Sequence, residues 1–475
     1  MIEIDSLEIL ASFASEPSQL LPARTQMAFT LGFHIILVPL GVAFTAITLI
    51  ANYRGIKKGD EEALLLAQRW SKIAAVLFAV GAVSGTVLSF ELGLLWPGMM
   101  DKFGAAFGIP FAIEGVFFLL EAIFIAIYIY GWKRMKPWPH FWTGVPVVLS
   151  GIGGTLSVVA ANAWMNAPGG YTLKGGEVTD VEPLKVIFND AFWYESLHML
   201  LAAYLVAGFL VASVYAVALL KGKRDRYHRQ GFLIPFTVAA IVMPFQMIVG
   251  DSTARAVFND QPIKFAAIEL VPNTATDVPE TIGGLYVDGE IVGPKIAIPG
   301  LASLLSGYST DTKITGFNSV PPDDRPPVNI VHLAWDTMLG IATYLFLLAA
   351  WFGFVWWRKR DIPKTKWFLR LAAAAGVLSV ICMEAGWVIT EVGRQPWIVY
   401  NVMRTEDAVT TADGIWLSLT IVLVIYALVA AATIAVLRSM TKRWRGAGEI
   451  EAVPYGPRVH MTDEKPKKPV GTRDG

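Results

Sequence analysis

The chain has 475 residues, of which 54% are hydrophobic and 16% are charged, whereas soluble globular proteins average about 25% charged residues. Its 39 basic and 39 acidic residues balance, so no excess of positive charge points to nucleic acid. The single cysteine, Cys382, excludes an internal disulfide, a cysteine-rich zinc site, an iron–sulfur cluster held by this chain alone and a C-x-x-C-H haem attachment.

The apolar residues fall in runs of about 20 or more, which is long enough to cross a bilayer as a helix. Hydropathy and flanking charged and aromatic residues predict nine spans, at approximately 27–51, 71–96, 108–131, 141–165, 188–220, 231–250, 330–357, 368–391 and 412–437. The first ten residues carry acids and no base, which is not the pattern of a cleaved signal peptide. The sequence therefore predicts an all-α integral membrane protein.

Basic residues accumulate in alternate loops, as in 221–229, while the loops on the other side hold few of them. The positive-inside rule then places the N-terminus outside and the C-terminus in the cytoplasm. The predicted organisation is six helices in 1–250, a long outside segment at 251–329, three helices in 330–437 and a disordered cytoplasmic tail at 438–475. Within the outside segment, D-G-E-I-V-G indicates a turn between short strands.

Ionisable side chains inside membrane spans are costly and by default mark function. Five predicted helices place candidate ligands in the outer half of the membrane. At the helical rise of about 1.5 Å per residue, several of these ligands lie roughly 9–15 Å below the outer surface. The ionisable groups, together with one methionine that offers a soft ligand, are His34, Glu114, Glu121, Glu195, His198, His332, Asp336, Met338, Glu384 and Glu391.

The spacing of the carboxylates is helical. Glu114 and Glu121 are seven residues apart, as are Glu384 and Glu391, so each pair occupies nearly one face of its helix. The stripe on the third span runs inward, as a proton relay requires. Imidazole and thioether groups are soft axial ligands for haem iron, and a carboxylate is a harder ligand. Zinc is disfavoured because no compact His/Cys cluster exists.

Each group also has a structural interpretation. A lone buried histidine is more often a hydrogen-bonded core residue than a ligand, and a methionine such as Met338 is more often a packing residue. We expect His140, His228 and His460 to be solvated, because they fall in basic loops or in the tail. His332 and Glu91 lie near the outer ends of their spans, where an interfacial position also fits.

The string E-V-G-R-Q-P-W at 391–397 resembles the signature of subunit I of cytochrome bd-type quinol oxidases. The resemblance covers all nine spans. Further similar segments are Q-M-A-F-T-L-G-F-H at 26–34, F-E-L-G at 90–93, A-I-E-G-V-F-F-L-L-E at 112–121, A-N-A-W-M-N-A-P at 161–168, G-D at 250–251 and K-F-A-A-I-E at 264–269.

The resemblance implies a nine-helix haem-binding bundle in the bacterial cytoplasmic membrane. Its activity would be that of a quinol:oxygen oxidoreductase, which oxidises quinol at the outer face and reduces oxygen to water. Proton motive force would arise from vectorial proton uptake and release without pumping. A second membrane subunit is implied as partner, with or without a small single-helix subunit, and nucleic acid is not.

The same resemblance assigns roles by position. His198 and Met338 would ligate a low-spin haem b. His34 and Glu391 would serve a high-spin haem b and a haem d, in an order that the sequence leaves open. The remaining assignments are Glu114 beside the oxygen-reducing haem, Glu121 in the proton path, Lys264 and Glu269 as quinol-binding groups, and Arg394 near haem propionates.

Two features depart from the family pattern. The outside segment is short, which predicts a less closed quinol pocket, and short-loop relatives include cyanide-insensitive oxidases in which haem b replaces haem d. Asp336 stands where some members carry a basic residue, which would change the charge around the low-spin haem. The sequence does not distinguish ubiquinol from menaquinol.

Two other functional classes fit part of the pattern. A proton-coupled transporter would use the glutamates without haem, but the outer-half clustering and the lack of an internal repeat disfavour it. A dihaem electron-transfer cytochrome b would need paired histidines on common helices, whereas His34 and His198 each stand alone deep in a span. A purely structural scaffold would not place so many carboxylates in lipid.

Overall fold

The computed structural model describes residues 17–446 and Tyr455. Within that part of the chain, nine helices are long and apolar enough to cross a membrane, which confirms the predicted spans and the all-α class. They are α1 Leu20–Lys58, α2 Glu61–Leu95, α3 Pro97–Gly131, α4 Pro137–Asn166, α5 Phe192–Leu220, α6 Arg226–Asp260, α7 Val328–Lys359, α8 Lys366–Val392 and α9 Ile415–Gly446.

The helices extend beyond the apolar runs that predicted them. Helix α6 continues to Asp260, so the first ten residues of the predicted outside segment are helical. Helix α9 continues to Gly446, so residues 438–446 do not belong to a disordered tail. Hydropathy detects only the part of a helix that lies in the bilayer core. It does not detect polar helical turns that extend beyond that core. The rest of the predicted tail lies outside the described residues, apart from Tyr455.

Helices α5, α6, α7 and α8 share one aromatic core. The ring of Phe236 on α6 lies 5.5 Å from Phe209 on α5, 4.8 Å from Phe352 on α7 and 5.6 Å from Phe368 on α8, measured between ring centroids. Edge-to-face and tilted pairs at these separations add to the stabilisation from apolar burial. This packing fixes α5, α7 and α8, which carry His198, Met338 and Glu391.

A second core joins α1 to α2, α3, α4 and α5, with Ile47 and Trp70 among its buried residues. Asp60 caps the start of α2 and is buried. Its carboxylate accepts hydrogen bonds from Arg54 at 2.9 Å and from Arg226 and Gln230 at 2.8 Å. Burial would raise the pKa of Asp60, but these hydrogen bonds hold it below its ordinary value. The turn after α1 is thereby tied to α6.

Residues 261–327 form a folded cap on the end of the bundle where α6 and α8 end and α5 and α7 begin; we call this segment the loop cap and this end the loop face. The loop cap contains the short helices Pro262–Ile268 and Leu301–Gly307 and an antiparallel hairpin of strands Glu280–Val287 and Glu290–Ile298. Asp288 and Gly289 form the hairpin turn with φ of 51° and 88°, as two-residue turns require. The turn predicted from D-G is confirmed.

At the opposite end of the bundle, His140 is fully buried, contrary to the predicted solvated position. Its Nε2 lies 2.6 Å from the carbonyl oxygen of Tyr128 and its Nδ1 lies 2.6 Å from the hydroxyl of Tyr455. Because a carbonyl only accepts, Nε2 carries the proton and the Tyr455 hydroxyl donates to Nδ1. Asn52 in turn donates to the Tyr455 oxygen at 3.2 Å. Tyr455 therefore covers His140, and hydropathy gives no sign of a contact between segments so far apart in the sequence.

Candidate functional site

A cavity of about 1120 Å³ lies among α1, α2, α3 and α4 and the segment that follows α8. Typical ligand pockets have roughly 300–1,000 Å³, so this cavity accommodates a group larger than most small molecules. Its lining is largely apolar. Five of the predicted functional residues line it, namely His34, Glu114, Glu121, Glu391 and Arg394.

The imidazole of His34 is held in one tautomer. Its Nδ1 lies 2.8 Å from the Oγ of Ser84, and the Ser84 hydroxyl donates to the carbonyl oxygen of Gly81 at 3.1 Å. Because the single hydroxyl hydrogen is used on Gly81, Nδ1 is the protonated nitrogen and Nε2 keeps its lone pair. A Cβ at Gly85 would lie 3.0 Å from the His34 ring. The arrangement leaves a nitrogen ligand in an apolar cavity, as haem iron requires.

Glu114 and Glu121 project from α3 into the same cavity. Neither carboxyl makes a hydrogen bond to the part of the chain that the structure describes. The carboxyl of Glu121 lies against α4, where a Cβ at Gly151 would be 3.6 Å from Oε1. Two carboxyls without protein partners in a cavity are available to water and to protons.

Glu391 is anchored at the loop face of the cavity. It accepts a hydrogen bond from Asn162 on α4 and one of 2.7 Å from Arg394. The guanidinium of Arg394 is buried, and its Nη1 also donates to Asn166 at 3.4 Å. Its Nε has no partner among the described residues. A buried guanidinium with a spare donor fits an anionic group such as a propionate.

The loop cap brings Lys264 to the same place. Its side chain is buried against the turn after α8, where a Cβ at Gly393 would lie 2.8 Å from Cε. Burial lowers the pKa of Lys264 to about 8, and the nearby carboxylate of Glu195 opposes the shift. Asn166 donates to Glu195 at 2.8 Å. We call Glu195, Lys264, Glu391 and Arg394 the charge cluster; the sequence had singled out Glu195 without giving it a role.

Glu269 lies in a different cluster from Lys264. It is buried beside Glu280, and burial together with the Glu280 and Asp336 carboxyls raises the pKa of Glu269 well above its ordinary value. Asp336 accepts from the backbone nitrogen of Gly283 at 2.6 Å. His332 is fully buried inside the protein, with Nδ1 2.8 Å from the carbonyl of Ile268 and Nε2 3.4 Å from Asp336. We call Glu269, Glu280, His332 and Asp336 the acidic cluster.

His198 and Met338 lie within the α5–α8 group and do not line the cavity. The Nε2 of Gln246 on α6 is 3.3 Å from both ring nitrogens of His198, and a Cβ at Gly250 would lie 3.4 Å from the ring. The sulfur of Met338 faces α8, where a Cβ at Gly386 would be 3.3 Å away. Small residues therefore make room beside both predicted ligands.

Two further carboxyls lie among the helices, of which Glu91 is buried and Glu384 is partly buried. Glu91 is 3% exposed and accepts from Gln26 at 2.8 Å and Thr30 at 3.1 Å, so it does not extend to the membrane surface. Glu384 has one carboxyl oxygen near Gly32 of α1 and one without a hydrogen-bond partner among the described residues. Because Glu91 is near the end of its span, the sequence did not distinguish a buried position from one at the membrane surface.

Comparisons with known proteins identify the family of the chain. The family model described as cytochrome bd terminal oxidase subunit I matches residues 22–444. A Bacillus subtilis (strain 168) chain named as a cytochrome bd menaquinol oxidase subunit I is 33% identical over 87% of this chain and 95% of its own length. The cytochrome bd ubiquinol oxidase subunit 1 of the same strain is 29% identical over 83% and 86%.

A solved structure shows the same fold. The bd oxidase of Geobacillus thermodenitrificans superimposes with a TM-score of 0.84 at 33% identity, covering 90% of this chain and 99% of that chain. With the nine apolar helices, these relatives identify a multi-pass protein of the bacterial cytoplasmic membrane. The chain therefore belongs to the cytochrome bd terminal oxidase subunit I family.

Proposed function

We propose that this chain is the haem-bearing subunit of a quinol:oxygen oxidoreductase that reduces oxygen to water. Membership in the family implies haem cofactors, an oxidoreductase activity and pairing with a subunit II in the membrane. The observation that carries the proposal is the convergence of His34, Glu391 and Arg394 on one large apolar cavity.

The donor set fits haem. His34 offers a bare Nε2, Glu391 offers a carboxylate, and these two would hold a high-spin haem b and a haem d, or haem b in both positions. His198 and Met338, a soft pair, would hold a low-spin haem b. Arg394 would pair with a propionate. When bound, the haems supply the electron transfer and the oxygen chemistry.

The loop cap would bind the quinol. Oxidation of a quinol to a quinone releases two electrons and two protons, so the site needs a donor that holds the oxygen and groups that accept protons. The Lys264 ammonium makes no hydrogen bond to the described residues and is available to a quinol oxygen. Glu269 and Glu280 form a buried carboxyl pair that would take up and release protons at the loop face. The relatives differ between menaquinol and ubiquinol in their names, so the proposal covers quinols as a class.

The two ends of the bundle would handle protons differently. With the loop face outside, as the basic loops predict, quinol protons leave to the outside. The protons that form water would enter from the cytoplasm along the Glu114–Glu121 stripe. Release on one side and uptake on the other separate charge without a pump.

Quinol-driven oxygen uptake by the purified chain with its membrane partner tests this function. We expect uptake with a short-chain quinol, two quinols consumed per oxygen, and no peroxide accumulating. Acidification of the medium outside proteoliposomes would support the proposed orientation. A haem-replete complex that does not consume oxygen with ubiquinol or menaquinol analogues would refute the proposal.

A further inference from the structure

The acidic cluster contains one basic side chain, and the hydrogen bonds of that side chain determine its charge. His332 is fully buried. Its Nδ1 lies 2.8 Å from the carbonyl oxygen of Ile268, and its Nε2 lies 3.1 Å from the carbonyl oxygen of Gly283. Because carbonyl oxygens only accept, both ring nitrogens must donate, and a histidine that donates from both carries two protons. His332 is therefore an imidazolium, and it pairs with the Asp336 carboxylate at 3.4 Å.

His332 and Asp336 bind both polar groups of a single backbone residue in the loop cap. The N–H of Gly283 donates to Asp336 at 2.6 Å, and its carbonyl accepts from His332. Gly283 has a φ of 77° and lies where the register of the hairpin shifts. A Cβ there would lie 2.7 Å from the carbonyl oxygen of Pro294, so the position requires glycine. Two side chains of α7 thus hold the hairpin at its irregular point.

The backbone that His332 holds carries the two carboxyls proposed to take up the quinol protons. Ile268 directly precedes Glu269, and Gly283 lies three residues after Glu280 on the first strand of the hairpin. Both carboxyl residues are buried. The two hydrogen bonds of the imidazolium ring therefore join the segment of Glu269 to the segment of Glu280 and fix how far apart they lie.

Attachment of the hairpin does not by itself account for a buried charge. Asn329, three residues before His332 on α7, holds the same strand through a neutral amide. Its Oδ1 accepts from the backbone nitrogen of Tyr286 at 2.7 Å, and its Nδ2 donates to the Tyr286 carbonyl at 2.9 Å. The desolvation of a buried ion pair can exceed the attraction between its charges. An imidazolium among the three carboxyls of the acidic cluster instead lowers the repulsion between them.

We propose that His332 is a positioning residue for quinol oxidation. As an imidazolium it holds Glu269 and Glu280 side by side as one proton-accepting pair and compensates the charge of Asp336 next to them. Its ring does not touch the quinol. The inference rests on the proposed quinol function, in which a quinol gives up two protons together with its two electrons. Carboxyls out of place would slow that step without weakening the binding of the quinol.

The test compares two electron donors with the complete oxidase. A quinol releases protons when it is oxidised, whereas N,N,N′,N′-tetramethyl-p-phenylenediamine, kept reduced by ascorbate, gives up single electrons and no proton. We expect His332→Gln to lower the kcat for quinol about tenfold. The KM for quinol should stay within about twofold of wild type, since Lys264 lies in the other cluster. Oxygen uptake with the diamine and the dithionite-reduced haem spectrum should match wild type.

Asn329→Ala is the matched control. It removes two hydrogen bonds between α7 and the same strand but no contact with the segment that carries Glu269. We expect its kcat for quinol to stay near wild type. A purely structural role of His332 predicts instead that both variants lose quinol activity alike. Equal losses in the two variants, or an unchanged kcat in His332→Gln, would overturn the inference.

His332→Asn is a second variant that separates the charge from the individual hydrogen bonds. Glutamine places its amide nitrogen near the position of Nε2 and keeps a donor for Gly283, whereas asparagine keeps one near Nδ1 for Ile268; neither is charged. We expect the same loss of kcat in both, and either variant decides if the other does not assemble. Wild-type kcat in either, or failure of both to assemble while Asn329→Ala assembles, would overturn the inference. A wild-type complex that oxidises the diamine but no quinol would instead reject the proposed function.

Discussion

The hydrogen bond between His34 and Ser84 allows the loss of haem affinity in Ser84→Ala to be predicted. Ser84 is 2% exposed and its Oγ is the acceptor for the Nδ1 proton of His34 at 2.8 Å. Alanine leaves that proton without its acceptor at a buried position. An unsatisfied buried donor costs about 1–3 kcal/mol, which corresponds to roughly 5- to 150-fold in an equilibrium constant.

The cost appears in haem binding because the ring loses the contact that aims Nε2 into the cavity. Partners of this kind typically contribute about 10- to 100-fold to metal affinity. We expect the purified variant to retain less high-spin haem, with the low-spin signal unchanged, as measured by reduced-minus-oxidised spectra normalised to protein. Thr420→Val is the control, since the Thr420 hydroxyl on α9 only bonds the carbonyl of Trp416 in its own helix. Equal haem retention in Ser84→Ala and the control would refute the assignment of His34 as a ligand held by Ser84.

Three further predictions concern the proton stripe and the basic end of the bundle. Glu121→Gln should slow oxygen reduction at least tenfold with full haem content, since the amide cannot carry a proton; unchanged turnover would remove Glu121 from the path. Tyr455→Phe should lower the thermal stability by about 1–3 kcal/mol, because His140 loses its donor, and an unaltered melting temperature would contradict the docked position of Tyr455. Asp60→Asn should lower stability at pH 7 by about 1 kcal/mol, because asparagine keeps the helix cap but loses the charge that pairs with two arginines, which are about half exposed. Because the pKa of Asp60 is lowered in the fold, its contribution is present above about pH 4 and is lost as the pH falls through the folded value, so the variant and the wild type should converge in acid.

The predicted site residues on α1, α3 and α8 were accessible to sequence reasoning for a simple physical reason. His34, Glu114, Glu121 and Glu391 interrupt runs of apolar residues, where a charge is expensive and conspicuous. Helix periodicity then placed the glutamate pairs on single faces. The structure brings these four side chains to one cavity.

The sequence could not place residues whose setting depends on distant segments. Lys264 and Glu269 are five residues apart, and the fold separates them into the charge cluster and the acidic cluster. His140 follows a basic loop and is buried among Tyr128, Trp132 and Tyr455, the last of which lies far along the chain. Asp336 is predicted to alter the charge around a haem, and its carboxylate also accepts a hydrogen bond from Gly283 in the hairpin of the loop cap, a contact that the sequence did not indicate. Such contacts carry no periodic signal.

The central claim is that this chain holds haem at the residues named here. The most direct measurement is a reduced-minus-oxidised visible spectrum of the chain purified with its membrane partner, with extraction of the haems to identify their macrocycles. The account predicts low-spin and high-spin haem b, with a chlorin-type haem d or a further haem b. A well-folded complex that contains no haem would contradict it and favour a proton-coupled transporter.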